Sequence, residues 1–96
     1  MIELDKEYLG VKKIIYNKLD ECDLYVLEND NETFLLFFFN GKIPYFKIMP
    51  IFSGRWECEE AIYNPVGLYG FIIDNEDVNA KIKQKLEELK ENVKKL

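Results

Sequence analysis

The sequence contains no histidine. That removes the usual general base near neutral pH, the usual zinc ligand and the usual partner of a nucleophilic serine or cysteine. Catalysis by carboxylate, lysine or tyrosine stays open, but the expectation is a protein that is not an enzyme. Cysteine is scarce too. Cys22 and Cys58 stand 36 positions apart, which matches no zinc spacing. They read as two buried free thiols, and as a disulfide only if their segments are neighbours in an oxidising compartment. With five glycines and three prolines, there is no low-complexity linker, no sign of a second domain and no glycine-rich phosphate loop. Residues 1–96 therefore read as a single domain. No apolar run approaches the ~18 residues of a membrane span, and the first residues show no charged-then-apolar leader. A cytoplasmic protein with no membrane partner is expected. No cofactor and no metal site is expected either. Glu28-Asn29-Asp30-Asn31-Glu32 offers five oxygen-bearing side chains, but it lacks the glycine and the distant glutamate of a calcium loop.

What is present is organised around Thr33-Phe34-Leu35-Leu36-Phe37-Phe38-Phe39, followed by Asn40-Gly41. The run has strand length and aromatic composition, and Asn-Gly signals a tight hairpin. With a side-chain period of two, Phe34, Leu36 and Phe38 share one face, and Leu35, Phe37 and Phe39 the other. Both faces are apolar, so this strand belongs in the middle of a sheet with a cover on each side.

Leu24–Leu27 and Ile43–Met49 supply flanking strands. Pro44 cannot donate to a ladder, so a longer loop or a disturbed first pair is expected there. Arg55–Tyr63 reads as a strand with Glu57 and Glu59 on its wet side and Trp56 and Cys58 on the other. Asn64–Gly67 reads as a turn, and Leu68–Ile73 as a strand in which Gly70 marks a bulge or a close approach of another backbone. Residues 5–19 carry a helical stripe, Tyr8, Val11, Ile15 and Leu19, with Asp5 as N-cap. A helix is favoured there, although Gly10 and three β-branched residues suit a strand as well. Val78, Ile82, Leu86, Leu89, Val93 and Leu96 give the apolar stripe of a helix from about Asp77 to Lys95, capped by Asp74 or Asn75. The expected fold is α+β: an antiparallel sheet of about five strands, this long C-terminal helix on one face, and a second short N-terminal helix as an option. The other cover is open between residues 5–19, a second copy and another protein.

The net charge is −5 and unevenly spread: residues 1–75 hold seven basic and thirteen acidic side chains, and residues 76–96 six and five. A surface of this kind repels nucleic acid and suits a basic protein partner. The binding candidates are the acids Asp20, Glu21, Asp23, Glu57 and Glu59, together with Tyr45, Arg55, Trp56, Tyr63 and Tyr69, the residue types that anchor interfaces. The leading expectation is a small acidic protein-binding domain, an inhibitor or adaptor of a larger intracellular protein. Anti-defence proteins of phages and mobile elements share this size and charge. The alternatives are a strict DNA mimic, a homodimer pairing sheet faces or edge strands, and a small-molecule-binding or carboxylate-based enzyme domain that uses Glu57 with Glu59 or Glu60.

Overall fold

Along the chain the elements are α1 (Lys6–Leu9), β1 (Lys13–Lys18), β2 (Asp23–Glu28), β3 (Thr33–Phe39), β4 (Tyr45–Pro50), α2 (Cys58–Tyr63), β5 (Leu68–Phe71) and α3 (Val78–Lys94). They come from a computed structural model that describes residues 2–73 and 76–94. The strands form one antiparallel sheet in the order β1-β2-β3-β4-β5, the α+β architecture expected. β3 lies at its centre, and residues 34–39 are all buried.

The two apolar faces of β3 feed two cores. Phe34, Leu36 and Phe38 join Tyr25, Leu27, Phe46 and Ile48 beneath Ile82, Leu86 and Leu89 of α3. Leu35, Phe37 and Phe39 join Leu24, Val26 and Met49 beneath Phe52, Trp56, Cys58 and Ala61. The second cover is thus none of the three expected candidates. It is the long β4–β5 connection, which folds back over the sheet and carries α2.

The expected strand at Arg55–Tyr63 is replaced by the helix α2. Cys58 and Ala61 are its buried residues, three apart on one helical face, and Glu59 and Glu60 sit in its first turn, where acids favour the helix dipole. A segment this short satisfies a period of two and of 3.6 about equally, which is why the alternation of Glu57 and Glu59 misleads.

Residues 5–19 are likewise corrected. Asp5 caps α1 through Tyr8 N–H, but Gly10 turns left-handed at φ 73° and ends the helix after one turn. The remainder becomes β1, paired along its length with β2. The Asn40-Gly41 hairpin is not a two-residue turn: Phe39 pairs with Tyr45, so residues 40–44 make a five-residue loop that places Pro44 outside the ladder. Gly70 is occupied by neither a bulge nor a backbone neighbour. A Cβ there would collide with the Phe46 ring at about 2.6 Å, so glycine lets that ring fill the core under β5. The expected caps Asp74 and Asn75, and the side chains of Val93 and Leu96, lie outside the described residues. Asp77 caps α3, its carboxylate accepting from Ala80 N–H at 3.3 Å.

Candidate functional site

Cys22 closes the β1–β2 turn, and Cys58 opens α2. They are joined as a disulfide, with Cα atoms 5.9 Å apart. This corrects the free-thiol expectation. The sequence separation hid it because α2 has to fold back over three strands before the two sulfurs meet.

The bond draws two acidic segments together. Lys18, Leu19, Asp20 and Glu21 from the turn, and Trp56, Glu57, Cys58 and Glu59 from the start of α2, line an open groove of about 470 Å³. Four of the expected acids, Asp20, Glu21, Glu57 and Glu59, and the expected Trp56 therefore share one site. All four acids are exposed, whereas Trp56 is half-buried and spends its indole N–H on Phe52 O at 2.9 Å. The groove carries four carboxylates against the one ammonium of Lys18. Arg55 stands beside it, its guanidinium 3.5 Å from the Glu57 carboxylate.

Asp23 is not part of this groove. It accepts from the Tyr16 hydroxyl at 2.7 Å, and that hydrogen bond pushes the Tyr16 phenol up to about 12. Tyr16 in turn lies against Tyr25, which belongs to the core beneath α3.

The remaining aromatic candidates gather elsewhere. Tyr45 stacks on Phe39 at 4.7 Å and approaches Tyr69 at 6.2 Å. The Tyr69 hydroxyl donates to Ile62 O at 2.9 Å, and burial pushes that phenol up. Tyr63, 77% exposed at the end of α2, is the most exposed of the large apolar side chains. Apart from Asp23 and Tyr63, the expected binding residues therefore fall in or beside a groove at one end of α2 and in an aromatic pair, Tyr45 and Tyr69, near its other end.

Beside Tyr69, at the C-terminal end of α2, lies Lys47, whose place was not expected from the sequence. Its signal was a lone cation within the apolar run Tyr45–Met49. Lys47 is 1% exposed. Its ammonium donates to Ala61 O at 2.7 Å and to Asn64 O, and sits 4.9 Å from the centre of the Tyr69 ring. A cation at carbonyls that the end of α2 leaves free suits the helix dipole, while burial pushes the ammonium's pKa down.

Lys47→Met is expected to cost about 1–3 kcal/mol, because the apolar stem is retained but two carbonyls lose their donor. Chemical denaturation across pH checks this. A folded-state pKa below the ordinary value of 10.5 contributes stability that is fully present above 10.5 and lost as pH falls through the folded value. Only the wild type has this contribution, so the penalty of the variant grows as pH rises toward 10.5. A constant penalty would remove the ammonium from the account.

Among the described residues, no group of three or more His, Cys, Asp or Glu is arranged to hold a metal ion, and no helix is long and apolar enough to cross a membrane. No protein-family model, curated protein or solved structure matches the chain, and its function rests on the geometry above.

Proposed function

We propose that this is a non-enzymatic protein-binding module, an inhibitor or adaptor that takes a lysine- and arginine-rich segment of a larger protein into the groove between the β1–β2 turn and α2. One observation carries the reading: Asp20, Glu21, Glu57 and Glu59 come from two segments far apart in the chain and converge beside Trp56. Complementary charge of this kind steers association and selects partners, and a tryptophan supplies contact area for an aliphatic stem or a cation. The carboxylates are exposed, so they lack the dry surroundings that tune acids and bases for catalysis, which favours binding over chemistry. The Cys22–Cys58 bond favours an oxidising compartment over the cytoplasmic location expected from sequence.

Fluorescence titration with an arginine-rich peptide tests the proposal against bulk charge. Asp20→Lys with Glu59→Lys is expected to weaken binding about tenfold or more. Glu87→Lys with Glu88→Lys changes the net charge equally, but on α3, and is expected to leave affinity within about twofold. Equal losses from both pairs would reduce the groove to its contribution to total charge. A strict DNA mimic extends its acidic surface to Asp23. Asp23→Asn is neutral for a groove binder and costly for a mimic.

A further inference from the structure

α2 is fastened unevenly. Its C-terminal end is tied to the sheet by hydrogen bonds: the Lys47 ammonium donates to Ala61 O and Asn64 O, and the Tyr69 hydroxyl donates to Ile62 O. Its N-terminal end has nothing comparable. Glu57 stands at the N-cap without a side-chain hydrogen bond, and the Trp56 indole bonds back to Phe52 O within the same connection. Among the described residues, no hydrogen bond joins residues 52–60 to any strand. What holds them down is the apolar packing of Phe52, Trp56 and Cys58 and the Cys22–Cys58 bond.

That bond also holds like charges together. Asp20 and Glu21 precede Cys22, and Glu57 and Glu59 flank Cys58, so closing the bond brings four carboxylates to one groove. Their mutual repulsion opposes it, and Lys18 and Arg55 offset only part of that repulsion. A cationic segment in the groove removes the opposition.

We infer that the Cys22–Cys58 bond is a redox gate on this groove: oxidised, it assembles the site, and reduced, it lets residues 52–60 swing away about the tied end of α2 while the sheet and α3 stay folded. The inference rests on the groove being the binding site for a lysine- and arginine-rich segment proposed above. The sheet keeps its other cover on reduction, since the core beneath α3 contains neither cysteine.

The co-reactant is a dithiol. One of its thiolates attacks a sulfur of the bond, and the other sulfur leaves and takes up a proton. The second thiol of the reagent then displaces the first from the mixed disulfide. The reagent closes to a cyclic disulfide, and two electrons and two protons end on Cys22 and Cys58. Gate and ligand act on each other reciprocally. Whatever factor reduction takes from the affinity, a saturating ligand adds to the ratio of reduced to oxidised dithiol needed to open the bond.

Equilibration of the full chain in mixtures of reduced and oxidised dithiothreitol tests the inference, with free thiols counted by alkylation and mass spectrometry. A saturating, cysteine-free arginine-rich peptide is expected to raise the dithiol ratio at half-reduction about tenfold, a shift of about 30 mV for two electrons. Asp20→Lys with Glu59→Lys is expected to abolish that shift. Without peptide, the emission of Trp56, the single tryptophan, is expected to move to the red on reduction while circular dichroism keeps its strand and helix signal. An unmoved Trp56 overturns the gate. So does a circular dichroism signal lost along with the Trp56 shift, which makes the bond a staple of the whole fold, and so does a peptide shift that persists in the variant. Fluorescence titration of the oxidised protein separates this inference from the reading beneath it. A peptide that binds and leaves the dithiol ratio unmoved overturns the gate alone, whereas one that does not bind overturns the groove and the gate with it.

Discussion

Replacing Cys22 and Cys58 together by alanine lowers the stability of this protein by about 3–4 kcal/mol, the loop entropy released when a cross-link over 36 residues is removed. For a domain of this size that is a drop in melting temperature of roughly 15–30 °C. The closed loop contains β2, β3 and β4, the centre of the sheet, so the cross-link restrains the unfolded chain where the most native contacts form. Denaturant titration of the double variant and of the wild type with and without a dithiol reductant provides the measurement. The reduced wild type should coincide with the variant. A difference below about 1 kcal/mol would show that packing alone holds α2 in place. The same change acts on the groove. Glu21 adjoins Cys22, and Glu57 and Glu59 flank Cys58, so the bond fixes the two acidic segments relative to each other. Affinity for a basic peptide should fall with the stability even at temperatures where the variant remains folded, because part of the binding free energy then goes into ordering α2.

The parts of this fold that were legible in the sequence are those where a single period runs long enough to exclude its rival. Thr33–Phe39 has seven residues with no polar interruption, and α3 repeats its stripe over four turns. The central strand and the C-terminal helix follow from these two alone. Residues 55–63 were misread because α2 spans only six residues. Trp56, Cys58 and Ala61 are buried partly by tertiary contact with the sheet rather than by any local pattern. In residues 5–19 the stripe is genuine but crosses two elements, and one left-handed glycine decides where the first stops. The candidate site was legible as composition and not as geometry. Asp20, Glu21, Trp56, Glu57 and Glu59 were chosen for charge and residue type, and only the return of the β4–β5 connection across the sheet makes them neighbours. Asp23 has the same charge and adjoins Cys22, yet strand alternation sends it to the opposite face, against Tyr16. Lys47 was missed because a lysine within an apolar strand usually reads as its wet face, whereas here a helix end supplies the acceptors.

Phe37→Ala should cost about 3–5 kcal/mol, the range for removing a buried aromatic ring from a core that relaxes only in part. Phe37 is fully buried at the centre of the central strand, with Leu24 and Lys47 as its cross-strand partners. Phe39 on the same face is still 7% exposed and lies at the end of the strand, so its truncation should cost less. The void left by Phe37 borders its cross-strand partner Lys47, whose side chain runs beneath α2. Water reaching it would relieve the burial that pushes the ammonium's pKa down, which gives the variant a signature beyond lost stability. In the wild type, Lys47 adds stability as pH rises, because it releases its proton in the folded state before it does in the unfolded one, whereas the raised phenols of Tyr16, Tyr25 and Tyr69 take stability away as pH nears 10. In Phe37→Ala that rise should flatten. Phe38→Ala, on the face beneath α3 and against the Tyr25 ring, should cost a similar amount and keep the Lys47 rise below the pH at which tyrosine ionises. Denaturant titrations of the three proteins from neutral pH to about 9, below the ordinary tyrosine range, separate the outcomes. If both variants keep the full pH dependence, the space under α2 collapses onto Lys47 without admitting water, and the cost of Phe37→Ala should then fall at the lower end of its range.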